Sequence, residues 1–393
     1  MKLLVSNVGS TSLKFKLFDM PAETVLCEAK VERVGSTTSA IYSYKNLLNG
    51  FQNKQENLSI PNYETGIQLF LSSMTDAVNG VIPSVEEVGA VGFKTVLSKG
   101  YYGVHELTEE VMEGMRQRLF VASVHNAAYI AAIDQFNAIL PNTPKVGVFE
   151  TAFHTTIPLE RRIYTVPYEW YEKTGLMKMG YHGASHSYIA QQATKAGKAD
   201  RVISCHLGGS CSICAIQDGK SVDTSFGFSL QTGVMHANRC GDVDPYIVPF
   251  MLEQGYEMDE VLLGLSKKGG LLGLSGVSND LREIQEAAEA GNERAALAIR
   301  VFVHDVVRYI GSFYAELGGL DQLIFTGGIG ENAADVRAMI CEGLEHMGIY
   351  LDKDANASCR DGVISTVNSP VRVAVIPANE ELGIARQTYA HIN

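Results

Sequence analysis

No run of eighteen apolar residues occurs in the 393-residue sequence, so a membrane-spanning helix is not expected. The opening MKLLVSNVGSTS has three consecutive apolar residues before Ser6, too few for a secretory signal, and a cytoplasmic protein is expected. Basic residues are in short supply: 32 Lys and Arg stand against 44 Asp and Glu, a formal charge of −12. That balance opposes general binding to nucleic acid or to an anionic membrane, so an anionic ligand has to be attracted locally. A Pro-rich or low-complexity linker is missing, and so is the Walker pattern GxxxxGK followed by Ser or Thr.

The seven cysteines, at 27, 205, 211, 214, 240, 341 and 359, are odd in number and lack a framework spacing, which suits a reducing compartment. Cys211 and Cys214 lie close to Cys205 and His206, which invites a metal or redox reading. If 202–216 forms strand, turn and strand, positions 211 and 214 are an odd step apart and point to opposite faces. Free thiols packed as small apolar groups are therefore expected.

What is present is a globular composition, 46% hydrophobic and 19% charged, which excludes intrinsic disorder. The length predicts two domains, or three small ones. Residues 3–19 alternate after a Gly and Ser turn, with Leu13, Phe15 and Leu17 opposed to Ser12, Lys14 and Lys16, so a half-buried hairpin is predicted. Residues 202–219 repeat that outline and end on Asp218-Gly219, a hairpin-turn pair. Sliding one segment on the other by 199 positions pairs Gly9 with Gly208, and a chain of two related halves with a boundary near 150 is inferred. Residues 320–349 read as a strand, a Gly-rich turn and a helix, a layout that exposes backbone N–H groups where phosphate binds. Residues 293–318 read as a helix with a wide buried face, and His304 within it is taken as a core or boundary histidine. Hairpins mixed with strand–helix units give an α/β class with mixed sheets.

Asn7 to Lys14 offers an amide, three hydroxyls, a glycine and a lysine within eight positions. A tight turn can aim such donors at phosphate oxygens, although the same residues build any hairpin turn. His182 and His186 have the spacing of a helical metal pair, but Gly183 and the lack of an intervening Glu weaken that reading. A helix starting around Ser185, with His182 on the preceding loop, is expected instead. Arg239, between glycines in NRCGDVDP, either stabilises charge on a transferring phosphoryl group or forms a surface salt bridge.

NVGSTSLKF, VFETAFH, GYHGASH, SCHLGG, DGKSVDTSFGF, NRCGDVDP, FTGGIGEN and PANEELGIAR occur in this order along nearly the whole chain. In these segments the sequence resembles the acetate and propionate kinase family. The resemblance implies duplicated actin/hexokinase-like (ribonuclease H-like) α/β domains with mixed sheets around an interdomain cleft. It further implies ATP or ADP with Mg2+ as cofactors, a short-chain carboxylic acid and its acyl phosphate as partners, and a homodimer. The domains expected are 1–150 with 382–393, and a nucleotide-binding 151–381.

Carried over by position, the resemblance assigns Asn7 and Glu380 to the metal, and Lys14 to the nucleotide phosphates. The nucleotide site would comprise His206, Leu207, Gly208, Gly209, Ser210, Asp280, Leu281, Arg282, Gly328, Ile329, Gly330, Glu331 and Asn332. His182 and Arg239 would stabilise the transition state. A carboxylate nucleophile is already ionised near pH 7, so Glu150 would orient charges or water around the metal rather than act as a base.

The acid end departs from the family pattern. HRVVHGG is replaced by residues 93–99, FKTVLSK, so the arginine expected to meet the acid is Lys94, without the planar fork. Glu150 stands for the usual Asp, and a shorter cation with a longer acid would preserve their contact. The pocket for the acid's alkyl end has Tyr181 for Phe and Leu230 for Pro, beside Val96 and Val124. A buried phenol needs a partner, which a hydroxylated acid would supply. In HLGNG the last two positions are Gly209 and Ser210. Acetate is the first expectation; another short acid, or a weakly active nucleotide-binding relative, is the alternative.

Overall fold

A computed structural model describes residues 1–9 and 11–393, with side chains throughout except for 120–125. Ser10, within the Asn7 to Lys14 segment, and the side chain of Val124 lie outside the described residues. The chain folds as two compact units, Met1–Ala152 with Asn379–Asn393, and Phe153–Ala378. The breaks fall a few residues from those expected at 150 and 381, and Glu380 goes with the first unit.

The first unit contains β1 (Lys2–Gly9), β2 (Ser12–Asp19), β3 (Thr24–Glu32), β4 (Ser36–Asn46), β5 (Gln52–Ile60), β6 (Val88–Thr95), β7 (Val104–Glu106) and β8 (Lys145–Phe149) in one sheet, ordered 5-4-3-2-1-6-8-7. β1 to β5 form an antiparallel meander, whereas β6 runs parallel to β1 and β8 parallel to β6. Consecutive Leu3, Leu4 and Val5 are all buried, as a strand covered on both faces requires. β2 buries Leu13 and Phe15 and exposes Lys14, the predicted alternation, which ends at the adjacent buried pair Leu17 and Phe18. The polar strand QNKQENLSI forms an edge, where Lys and Glu discourage further pairing. The helix Glu380–Ile392, capped by Asn379, packs on β1, β6 and β8. A Cβ at Gly92 would lie 2.4 Å from Thr388 Oγ1, so this contact needs glycine.

The second unit contains β9 (Arg201–His206), β10 (Ser212–Gln217), β11 (Lys220–Thr224), β12 (Gln322–Thr326), β13 (Gly362–Val363) and β14 (Arg372–Val375), ordered 11-10-9-12-14-13. Its first three strands are antiparallel, and β12 and β14 continue parallel to β9. This is the layout of 3-2-1-6-8 in the first unit. Lys2 and Arg201 open the corresponding strands, at the 199-residue offset read from the sequence. Asp218 and Gly219, both at positive φ, make the predicted turn.

The helix Glu293–Leu317 begins on Asn292, whose side chain accepts from Ala295 N–H at 3.0 Å, and ends at Gly318 at φ 67°. Its stripe Ala295, Ala298, Ile299, Phe302, Val306, Ile310, Phe313 and Leu317 enters the core with Ile203, Leu323, Phe325 and Val373. A large side chain buried there is worth about 1.5–3 kcal/mol. Phe302→Ala should cost about 3–5 kcal/mol. His304 is exposed, contrary to expectation, because it is two residues from both Phe302 and Val306 and falls on the opposite face. Cys211 and Cys214 join different core clusters and are free thiols. Burial pushes both up to about 12, so they are protonated and inert. Among the described residues no helix is long and apolar enough to cross a membrane.

Candidate active site

In the second unit, the turn after β9 and the segment after β12 are stitched together by backbone. The Leu207 carbonyl accepts from Ile329 and Gly330 N–H at 2.8 and 3.0 Å, and Leu207 N–H donates to Thr326 O at 2.9 Å. Gly327 at φ 78° permits this approach, since its Cβ would lie 2.7 Å from that carbonyl oxygen. The Gly-rich segment is not a turn: Gly327–Asn332 is a short helix directly after β12, and Ala334–Glu342 follows. Glu331 accepts from Gly327 and Ala378 N–H at 2.9 and 3.0 Å. Fully buried Arg337 donates to the carbonyls of Gly330 and Glu331 and to Asn356.

Gly208, Gly209, Asp280, Leu281, Arg282, Gly328, Ile329 and Asn332 line a cavity of about 520 Å³, with Ala237, Asn279, Gln285 and Ala333. That volume suits a mononucleotide-sized ligand. Asp280 caps the helix Leu281–Glu289 by accepting from Arg282 N–H at 3.0 Å and pairs with the guanidinium at 2.5 Å. The Arg282 contact lowers its carboxyl below the usual range. Of the remaining expected nucleotide residues, Leu207, Gly330 and Glu331 brace this wall from behind. His206 and Ser210 are half-buried beside it, and Ser185 Oγ is 2.8 Å from His206 Nδ1. Lys14, in the first unit, is exposed on β2 across from Asn7.

His182 has φ 57° and ψ 27° at the start of the helix Gly183–Lys195, two residues earlier than expected. Left-handed backbone at a non-glycine residue costs about 1–3 kcal/mol and persists where the surroundings over-determine it. The surroundings here are histidines and serines. His182 Nδ1 is 2.8 Å from Ser212 Oγ, the same hydroxyl is 2.8 Å from His186 Nε2, and His186 Nδ1 is 2.9 Å from Ser204 Oγ. His206 stacks on His182 at 4.2 Å. His154 is 2.9 Å from both the Tyr181 carbonyl and Ser221 Oγ, and a Cβ at Gly180 would lie 2.6 Å from its ring. Burial holds His154 down to about 4 and His186 well below the usual histidine range, so both are neutral. Four residues here, Ser212, Ser204, His186 and His154, were not singled out as site residues from the sequence. The paired histidines in GYHGASH were the available signal, and the structure shows them sharing a serine rather than a metal.

Arg239 is half-buried, and Nη1 donates to the Leu230 carbonyl at 2.7 Å. Among the described residues no carboxylate pairs with it, so the surface salt bridge considered above does not form. Burial lowers its pKa from the usual arginine value, as expected for a cation without a counter-charge. Tyr181 is buried, and its hydroxyl donates to the Phe228 carbonyl at 2.7 Å. The phenol thus has a partner in the chain and does not require a hydroxyl on the acid. Leu230 is also buried.

In the first unit, Lys94 on β6 is held between two carboxylates, with Nζ 2.8 Å from Glu380 Oε2 and 3.2 Å from Glu150 Oε1. Glu150 directly follows β8 and is tied to β6 by its N–H, which donates to Thr95 O at 2.8 Å. Burial alone would lower the lysine pKa, but the charges of Glu150 and Glu380 outweigh it and hold it well above the usual value. Burial raises the nearby Tyr129 phenol, so it stays protonated. Val96 is buried beside Lys94. Among the described residues no group of three His, Cys, Asp or Glu is arranged to hold a metal. Asn7 and Glu380 offer oxygen donors only, a set that fits Mg2+, which takes one or two carboxylates and completes its shell with water and phosphate.

A model of the Acetokinase family matches residues 2–386. The acetate kinase of Geobacillus sp. (strain WCH70) is 43% identical over 392 residues, covering 98% of this chain and 97% of that protein. The acetate kinase of Bacillus subtilis (strain 168) is also 43% identical, with 98% of each covered. Among solved structures, Porphyromonas gingivalis acetate kinase superposes with a TM-score of 0.89 at 37% identity, with both chains fully covered. A propionate kinase from Francisella tularensis gives 0.90 at 34% identity, with 98% of each covered.

Proposed function

Because the chain belongs to the Acetokinase family and has its actin/hexokinase-like fold, we propose that this phosphotransferase uses ATP to convert acetate reversibly to acetyl phosphate, by direct in-line transfer. The observation that carries the reading is Arg239, a half-buried cation that no carboxylate among the described residues neutralises. Such a group is poised for the charge spread over a transferring phosphoryl group. The cavity bounded by Gly208, Asp280 and Gly328 receives the nucleotide. Lys14, exposed on β2, meets its phosphates.

His182 donates an N–H to the phosphoryl oxygens. Asn7 and Glu380 would hold Mg2+, which would neutralise charge on the phosphates when bound. Lys94 orients the acid carboxylate while Glu150 fixes the ammonium. The family resemblance gives the alkyl end of the acid to Val96, Tyr181 and Leu230, which are all buried. The satisfied phenol of Tyr181 supports acetate over a hydroxylated acid. The seven free cysteines support work in the reducing cytoplasm.

The active form is a homodimer. Segment 243–262 of the second unit exposes Val243, Tyr246, Ile247, Phe250, Leu252, Tyr256, Met258 and Leu262, with Tyr246 78% and Phe250 58% accessible. Aromatic and Met side chains at this density suit an interface with a second copy. Sedimentation equilibrium should give twice the chain mass, and Phe250→Asp should give monomers.

Hydroxylamine trapping tests the activity. With ATP, Mg2+ and acids of two to five carbons, acetate should give the highest yield of hydroxamate. No hydroxamate from any of these acids would refute the reading.

A further inference from the structure

The catalytic use of His182 requires an N–H aimed at the phosphoryl group, and a neutral imidazole has only one. We infer that Ser212 and His186 are positioning residues that hold His182 as a neutral imidazole with its proton on Nε2. This inference rests on the reading of His182 given above.

Proton counting sets the direction of the chain. For His182 Nδ1 to accept, Ser212 must donate its single hydroxyl proton to it across 2.8 Å. Ser212 Oγ can then only accept from its other partner, so His186 carries its proton on Nε2, also at 2.8 Å. His186 is neutral, which leaves its Nδ1 as an acceptor for the Ser204 hydroxyl at 2.9 Å. All three side chains behind His182 are fully buried, so water does not offer a competing partner. The rings facing His186 are His182 on its own helix, His154 at 5.8 Å and His206 at 6.4 Å. One of these is fixed independently, since His154 must donate Nε2–H to the Tyr181 carbonyl; His206 Nδ1 is engaged with Ser185 Oγ at 2.8 Å.

The fold makes this arrangement rigid. Ser204 is on β9 and Ser212 opens β10, where it pairs with His206. His186 is one helical turn beyond His182 and reaches both strands. A serine on a strand therefore reads the helix register and sets the proton position on a residue held in strained backbone.

The experiment compares Ser212→Ala, Ser212→Thr and His182→Ala, each in the full-length protein with a melting curve. Ser212→Ala should lower kcat about tenfold with KM for ATP and acetate within about twofold. Ser212→Thr, which keeps the hydroxyl, should recover most of the loss. Long-range 1H–15N spectra of the parent should show His182 protonated on Nε2, and in Ser212→Ala a mixture of both tautomers. A parent His182 protonated on Nδ1 overturns the inference even if Ser212→Ala fails to fold. Parent-like kcat in Ser212→Ala, with His182→Ala strongly impaired, overturns the inference and leaves the role of His182 standing. Turnover of His182→Ala within a few-fold of the parent overturns both.

Discussion

Lys94 in the first unit and Arg239 in the second carry the same charge in unlike surroundings. Lys94 is clasped by Glu150 and Glu380, whereas Arg239 touches only a backbone carbonyl among the described polar partners. The clasped cation is stabilised where it stands, and its neighbours depend on it. The unclasped one has no carboxylate beside it among the described residues, and on the function proposed above it awaits the anionic substrate. A buried charge thus has two physical meanings, and the presence or absence of a carboxylate separates them.

The largest expected effect breaks the contrast from the first unit. Lys94→Met removes the cation held between buried Glu150 and Glu380 and should cost about 3–5 kcal/mol in urea unfolding. Arg239→Met should stay within about 1 kcal/mol of the parent. A similar loss for both variants would show that the two cations are equivalent to the fold.

The units also differ in the direction of their pH sensitivity. Burial pushes His154 to about 4, while an unfolded histidine titrates near 6.5. Protons therefore favour the unfolded chain, and the stability contributed by neutral His154 is full above pH 6.5 and is lost as pH falls towards 4, on the order of 3 kcal/mol. Lys94 has the opposite sign: its raised pKa contributes stability that is complete below the ordinary value of 10.5 and is lost as pH rises above it. Melting curves from pH 4 to 11 should show an acid loss that His154→Gln diminishes and an alkaline loss that Lys94→Arg diminishes.

In catalysis the ranking reverses. Arg239→Ala should lower kcat about a hundredfold, the scale of losing one strong electrostatic stabiliser, with nucleotide affinity by calorimetry unchanged. Turnover within a few-fold of the parent would remove Arg239 from the chemistry.

A smaller effect sharpens the first unit's side of the comparison. Lys94 and Glu150 stand for a family Arg and Asp, and they contact each other. Lys94→Arg and Glu150→Asp should each impair kcat/KM, and the double variant should recover part of it, with a coupling of about 0.5–3 kcal/mol. Strictly additive effects would show that the exchanges are unrelated.

Local patterns were legible in the sequence because their causes are local. Leu13, Phe15 and Leu17 alternate with polar residues, Asp218-Gly219 makes its turn from two neighbours, and an odd step separates Cys211 from Cys214. The ordered motifs also carried the family. Contacts set by tertiary placement left no such mark. Lys94 and Glu380 are 286 positions apart, and Ser212 lies between two histidines only because β10 pairs with β9 beneath the helix. His304 was misjudged for a different reason: a helix with a wide apolar face offers several phases, and only the buried residues decide which one is used. Tyr181 signalled a need for a hydrogen bond but not that Phe228 would meet it.

The helix Glu380–Ile392 packs on strands of the first unit that are made before it, with the whole of Phe153–Ala378 synthesised in between. A growing chain therefore emerges with β1, β6 and β8 uncovered and with Lys94 and Glu150 lacking their third member. The ribosome must complete the second unit before the first can finish its own core. A polypeptide that ends before residue 380 leaves bare the face of β1, β6 and β8 that this helix covers, and leaves the Lys94 cluster incomplete.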